Sequence, residues 1–182
     1  MFKVKIEMQA EVYREDGTLR RRYPWKRIDA LLKQFAQILM YHLSQAAQTI
    51  KDTAGVDKLM YASLPSFAAN APAATTTYGL VIGTGTDPVT MADNKLQTQV
   101  TTNITHQAGT FLLENPDAST WRVACTRVFT NGTGATLEIK EVALYTNNTA
   151  NGYKFCFDRA LYSVSVPNGE NVSITYRITI TL

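Results

Sequence analysis

The sequence predicts a mainly β fold: an antiparallel β-sandwich, jelly-roll-like, with one amphipathic helix near the N-terminus. Three observations carry this. Strict period-two alternation opens the chain and closes it. Short strand-like runs in the second half are separated by Gly, Asn and Pro turns. Apolar residues at three- and four-residue steps are confined to residues 27–46.

The opening segment puts Phe2, Val4, Ile6, Met8, Ala10 and Val12 on one face and Lys3, Lys5, Glu7, Gln9 and Glu11 on the other, as in a half-buried strand. Glu15-Asp16-Gly17-Thr18 is a turn signal, because glycine supplies the positive φ of a tight hairpin. Residues 19–23 return as a second strand that Pro24 stops. The helix at 27–46 aligns Ile28, Leu31, Leu32, Phe35, Leu39 and Leu43 on one stripe, with Asp29 in its first turn. Residues 49–62 read as a short hairpin around Thr53-Ala54-Gly55. Residues 63–77 are rich in Ala, Pro, Ser and Thr, lack periodicity and read as a long loop lying against a neighbouring subunit.

Residues 78–82 form a short buried strand, and Gly83-Thr84-Gly85-Thr86-Asp87-Pro88 a sharp turn. One or two helical turns are expected at 90–99, with Thr90 as cap and Asp93 as its capping-box acid. A strand at 101–113 ends at the Asn115-Pro116-Asp117 turn. Strands follow at 120–130, 137–146 and 153–157, with Asn131-Gly132-Thr133-Gly134 as a turn. After Pro167-Asn168-Gly169-Glu170, the last strand alternates Val172, Ile174, Tyr176, Ile178, Ile180 and Leu182 against Ser173, Thr175, Arg177, Thr179 and Thr181. A length of 182 residues fits one domain, 1–182, with a hairpin or arm at 1–26.

Charged residues make up 18% of the chain, below the usual ~25%, and Thr, Asn, Ala and Ser replace them. Neutral polar surfaces of this kind suit burial against neighbouring subunits, because charge is depleted at interface cores. The net charge of +3 is weak. Its early basic cluster, Arg20, Arg21, Arg22, Lys26 and Arg27, reads as a solvated or interface-rim group rather than a nucleic-acid stripe. Cys125 and Cys156 lie in apolar runs and read as small buried hydrophobes, with a disulfide between facing strands as the lesser alternative. No signal peptide and no run of ~18 apolar residues is visible, so the expectation is a soluble protein made in the cytoplasm.

The sequence shows no catalytic constellation and no cofactor or metal site. Its two histidines, His42 and His106, have no acid at a useful spacing, and no Gly-x-Ser-x-Gly or Cys-x-x-Cys occurs. Gly83-Thr84-Gly85-Thr86 lacks the Lys-Ser/Thr that a phosphate loop needs, and Asp87 would repel phosphate. Asp87, Asp93 and Asn94 do not meet calcium-loop spacing.

Two segments carry a family resemblance. Leu80-Val81-Ile82-Gly83-Thr84-Gly85-Thr86-Asp87-Pro88-Val89, and Arg127-Val128-Phe129-Thr130-Asn131-Gly132 continuing to Glu141-Val142-Ala143-Leu144-Tyr145, resemble strand pairs in structural proteins of tailed bacteriophages and related archaeal viruses. The closing hairpin around Pro167-Asn168-Gly169-Glu170 fits the same pattern. The resemblance implies a non-enzymatic virion component (tail, collar or capsid decoration) made in the host cytoplasm and acting through copies of itself and other virion proteins. Candidate assembly contacts are Arg20, Arg22, Trp25, Phe67, Asp87 and Pro88. Alternatives are a receptor- or glycan-binding module, with Tyr23, Trp25, Tyr153 and Tyr162 as stacking rings, and a subunit of an extracellular filament.

Overall fold

A computed structural model describes residues 3–28, 32–44, 47–60 and 67–181. The elements, in chain order, are β1 (Lys3–Tyr13), β2 (Leu19–Arg27), α1 (Lys33–Ser44), β3 (Gln48–Lys51), β4 (Asp57–Met60), β5 (Phe67–Ala68), β6 (Gly79–Gly83), β7 (Ile104–His106), β8 (Thr110–Asp117), β9 (Thr120–Asn131), β10 (Leu137–Asn148), β11 (Lys154–Val166) and β12 (Asn171–Thr181). Every strand pairing is antiparallel. The first sheet runs β2-β1-β12-β9-β7, with β8 also on β9; the second runs β11-β10-β5, with β6 also on β10.

The two sheets face each other across one apolar core. Ile6, Met8, Ala10 and Val12 of β1 meet Val172, Ile174 and Tyr176 of β12, and these pack against Ile139 and Val142 of β10 and Val164 and Val166 of β11. The alternating residues of the two ends of the sequence are therefore neighbours in one sheet, Val4 opposite Ile180 and Val12 opposite Val172. The chain passes from β9 to β10 and returns from β11 to β12, so a long two-stranded ribbon folds from the first sheet onto the second. Asn131 sits at that fold. Its amide donates to the carbonyls of Ala135 and Val166, and its own carbonyl accepts the Gly169 N–H. Buried to 1% exposure, this asparagine is consumed by the two corners it joins.

Two further apolar clusters complete the cover of the second sheet. Val81, Ala143, Tyr145 and Cys156 pack under Leu32 and Leu96, the latter brought in by the 84–100 segment. Ile38 of α1, Ile50 of β3 and Met60 of β4 close over Phe155. The helix is shorter than the sequence pattern indicated and does not head the chain; it follows the β1–β2 hairpin. It buries Gln34 and Ile38 and leaves Leu39 exposed, because the helix leans on β11 and β3; Leu32, also buried, precedes it. Asp29 and Leu31 lie outside the described residues.

Several boundaries differ from expectation. Pro24 does not stop the second strand: β2 runs to Arg27, with a register irregularity opposite Gln9 taking up the proline at a sheet edge, where no ladder N–H is needed. Pro116 is likewise carried inside β8, again on an edge, and the turn falls at Ala118-Ser119. Past Phe157, β11 continues through Asp158 and Arg159, because both charges find buried partners. Residues 90–99 form no helix. The capping-box contacts still form, Thr90 N–H and Oγ1 donating to the Asp93 carboxylate, because Arg159 holds that carboxylate from the other side.

Candidate functional site

Two buried guanidinium groups set the loops around the second sheet. Arg159, fully buried on β11, donates to Glu141 Oε2 at 2.8 Å, to Asp93 Oδ2 at 2.7 Å and to the Asp87 carbonyl at 3.0 Å. The Glu141 carboxylate, also fully buried, accepts backbone N–H groups of Gly85, Gln97 and Thr98. The glycines of the Gly83-Thr84-Gly85 turn exist for this approach: a Cβ at Gly83 would lie 2.6 Å from Glu141 Oε1, and one at Gly85 2.5 Å from it. What reads in sequence as a sharp turn is a backbone cradle filled by the protein's own carboxylate. Although burial works the other way, the Thr90 and Arg159 hydrogen bonds hold the Asp93 carboxyl below its usual range.

Arg127 does similar work without any carboxylate. Its guanidinium donates to the carbonyls of Gln107, Tyr78, Leu80, Pro72 and Thr75. Residues 72–78 are thereby tied to their own sandwich; residues 61–66 lie outside the described part. His106, 2% exposed, stands edge-on to the Phe129 ring at 5.2 Å, and neither ring nitrogen has a hydrogen-bond partner among the described residues. Burial, with the Arg127 charge adding to it, pushes its pKa down to about 4.

Cys125 and Cys156 are both free and buried, in different clusters, and burial pushes the Cys125 thiol up to about 12. Among the described residues, no group of three or more His, Cys, Asp or Glu is placed to hold a metal ion, and no helix is long and apolar enough to cross a membrane. The side chain of His42 lies outside the described residues.

The candidate contact residues fall on three separate parts of the molecule. Arg20, Arg22 and Trp25 belong to β2: Arg20 pairs with Glu170 at 2.7 Å, Arg22 with Glu11 at 2.6 Å, and Trp25 stacks under the Arg177 guanidinium at 3.8 Å. Asp87 and Pro88 are exposed on the turn over the second sheet. Phe67, on β5, packs against Phe155 and Phe157. Of the four rings considered for sugar stacking, Tyr162 is buried, Tyr23 bonds the Ser165 backbone, and Tyr153 lies under Lys58.

Phe67 leads to the feature that sequence reasoning missed. The first sheet extends past the second, so the last rows of its inner face have no sheet opposite. Successive rows are Met8–Tyr176–Cys125–Phe111, Ile6–Ile178–Val123–Leu113 and Val4–Ile180–Trp121. The core ends within them: Cys125 is 1% exposed, whereas Phe111, Trp121 and Leu113 are 44%, 47% and 64% exposed. Where this overhang meets the second sheet and α1, a cleft of about 400 Å³ opens. Phe111 and Ile178 line one side, Leu144 and Phe157 the other, with Phe35 and Phe67 between. Large contiguous apolar surfaces of this kind are uncommon on a monomer. The available signal was Phe111-Leu112-Leu113: three consecutive apolar residues in a strand must place at least one on a face that its own sheet does not bury.

Compared with protein-family models, with curated proteins and with solved structures, the chain matches none.

Proposed function

We propose that this protein is a non-enzymatic structural subunit of a virus particle, a tail, collar or capsid-decoration component, working by association with copies of itself and with other virion proteins. The observation that carries the reading is the uncovered end of the sandwich, where the inner face of the first sheet runs on as Phe111, Leu113, Trp121 and Val123 with no second layer. Burying that surface against a neighbour gains roughly 25 cal/mol per Å² of apolar area, the term that drives most protein association. A rigid body suits the role. Both loop systems around the second sheet are pinned by buried arginines, so the molecule offers a preorganised shape rather than a mobile catalytic loop. The ribbon wound across both sheets is the jelly-roll-like element of this reading. The family pattern around Gly83–Gly85 and Glu141 adds to it, since those two segments meet in one buried contact.

Light scattering across a concentration series tests the proposal. The expected result is a defined oligomer whose mass persists in high salt, because the contact is apolar rather than ionic. A monomer at every concentration overturns self-association and favours the receptor- or glycan-binding alternative.

A further inference from the structure

We infer that the protein pairs with a second copy of itself through the free edge of β8, in antiparallel register about a two-fold axis at Leu112; this deepens the assembly reading above and rests on it. Strand β8 pairs only with β9, and among the described residues nothing pairs with its other side. Toward its start the edge is occupied: the Gly109 N–H donates to the Ala71 carbonyl, and the Ala74 N–H to the His106 carbonyl. Toward its end the strand loses register between Glu114 and Asp117, at the Asn115-Pro116 irregularity. The usable edge is therefore Thr110 to Glu114, and its midpoint is Leu112.

A two-fold antiparallel pair that uses this whole window has one register. Thr110 faces Glu114 of the second copy, Phe111 faces its Leu113, and Leu112 faces its Leu112. Apolar side chains oppose apolar ones on both faces, and the one carboxylate of the window meets a hydroxyl, not its own copy. The alternation then brings the Phe111 and Leu113 faces of both copies together, continuous with the Val123 and Trp121 overhang of each. A five-residue strand pair alone is smaller than the roughly 1,200 Å² that stable complexes bury, so the joined overhangs are part of the proposed contact.

The opposite sheet edge shows why β8 is the one used. Strand β2 carries Arg20, Arg21, Arg22, Lys26 and Arg27 and interrupts its edge with Pro24, devices that oppose edge-to-edge pairing. It is also fastened to β11: Ser165 N–H donates to the Tyr23 hydroxyl, Lys26 Nζ to the Leu161 carbonyl, and the Tyr162 hydroxyl to the Pro24 carbonyl.

Cysteine trapping on the full chain reads the register. In the proposed pair two Leu112 residues lie opposite each other at ~5 Å between Cα atoms, within disulfide reach, whereas two Leu113 residues are about 8 Å apart and beyond it. Under mild oxidation Leu112→Cys should cross-link to a covalent dimer and Leu113→Cys should not, with the unmodified chain, whose two thiols are buried, as the blank. Leu112→Lys, which sets like charges face to face, should raise the dissociation constant at least tenfold by light scattering. Equal trapping at both positions, or trapping at neither, overturns the register. So does association untouched by Leu112→Lys; in each case an unmodified chain that still associates leaves the broader assembly reading standing. An unmodified chain that is monomeric throughout overturns both.

Discussion

The two ends of the first sheet are built on opposite principles. At the β2 edge, basic side chains, a proline, and side-chain hydrogen bonds onto β11 finish the sandwich. At the β8 edge the same sheet stops with Phe111, Leu112 and Leu113 uncovered. The second sheet continues the contrast, since its outer face is sealed by a loop that Glu141 and Arg159 hold from beneath. The protein thus spends buried charge to close one region and leaves bare apolar surface in another. Buried polar networks of the first kind specify one conformation, and uncovered apolar rows of the second kind are what the proposed association would cover.

The sealed region should be the more fragile to substitution. Glu141→Leu removes the acceptor for three backbone N–H groups and one of the two carboxylates on a fully buried guanidinium, and the Gly83–Gly85 turn was shaped around it. A loss of about 3–5 kcal/mol is expected in denaturant unfolding. A loss under 1 kcal/mol would mean that the loop is not held from beneath and would erase the contrast.

His106 gives the next largest effect. In the folded protein its pKa lies near 4, against an ordinary value of 6.5, so between those pH values the unfolded chain holds more protons. Its contribution is complete above about pH 6.5 and is lost as pH falls toward 4, at most about 3 kcal/mol. Unfolding measured at pH 7 and pH 4.5 should show that loss, and His106→Leu should flatten it; identical slopes for the two chains would assign the acid sensitivity elsewhere.

The smallest effect belongs to the open end. Leu113→Ser removes a side chain that is 64% exposed and should move the stability of the single chain by no more than about 0.5 kcal/mol while weakening association. A thermal shift equivalent to 2 kcal/mol would show that this surface is already covered within one chain.

Much of this was legible in the sequence. The alternation of Val4 to Val12 and of Val172 to Ile180 determined two half-buried strands, because a period of two admits no other regular structure with one apolar face. Gly17, Gly55, Gly134 and Gly169 marked real turns. The helix and the β3–β4 hairpin were visible for the same local reasons. Phe67 was visible as a contact candidate, and the structure places it in the apolar cleft. Local pattern could not say where charge would be buried. Asp158 and Arg159 read as a strand end, Gly83-Thr84-Gly85 only as a sharp turn and Pro24 as a stop, because each depends on a partner far away in the chain: Tyr176 for Asp158, Glu141 for Arg159 and for the glycines, and an unpaired sheet edge for the proline. Nor could alternation show that Trp121 and Val123 lie exposed. Their strand pattern is the same as that of buried Cys125 and Phe129, and what separates them is only that the second sheet ends between the two pairs. The sequence by itself determined which residues prefer to leave water; the tertiary structure decided which of them do, because burial is a property of two layers and no single strand encodes how far the opposite layer extends.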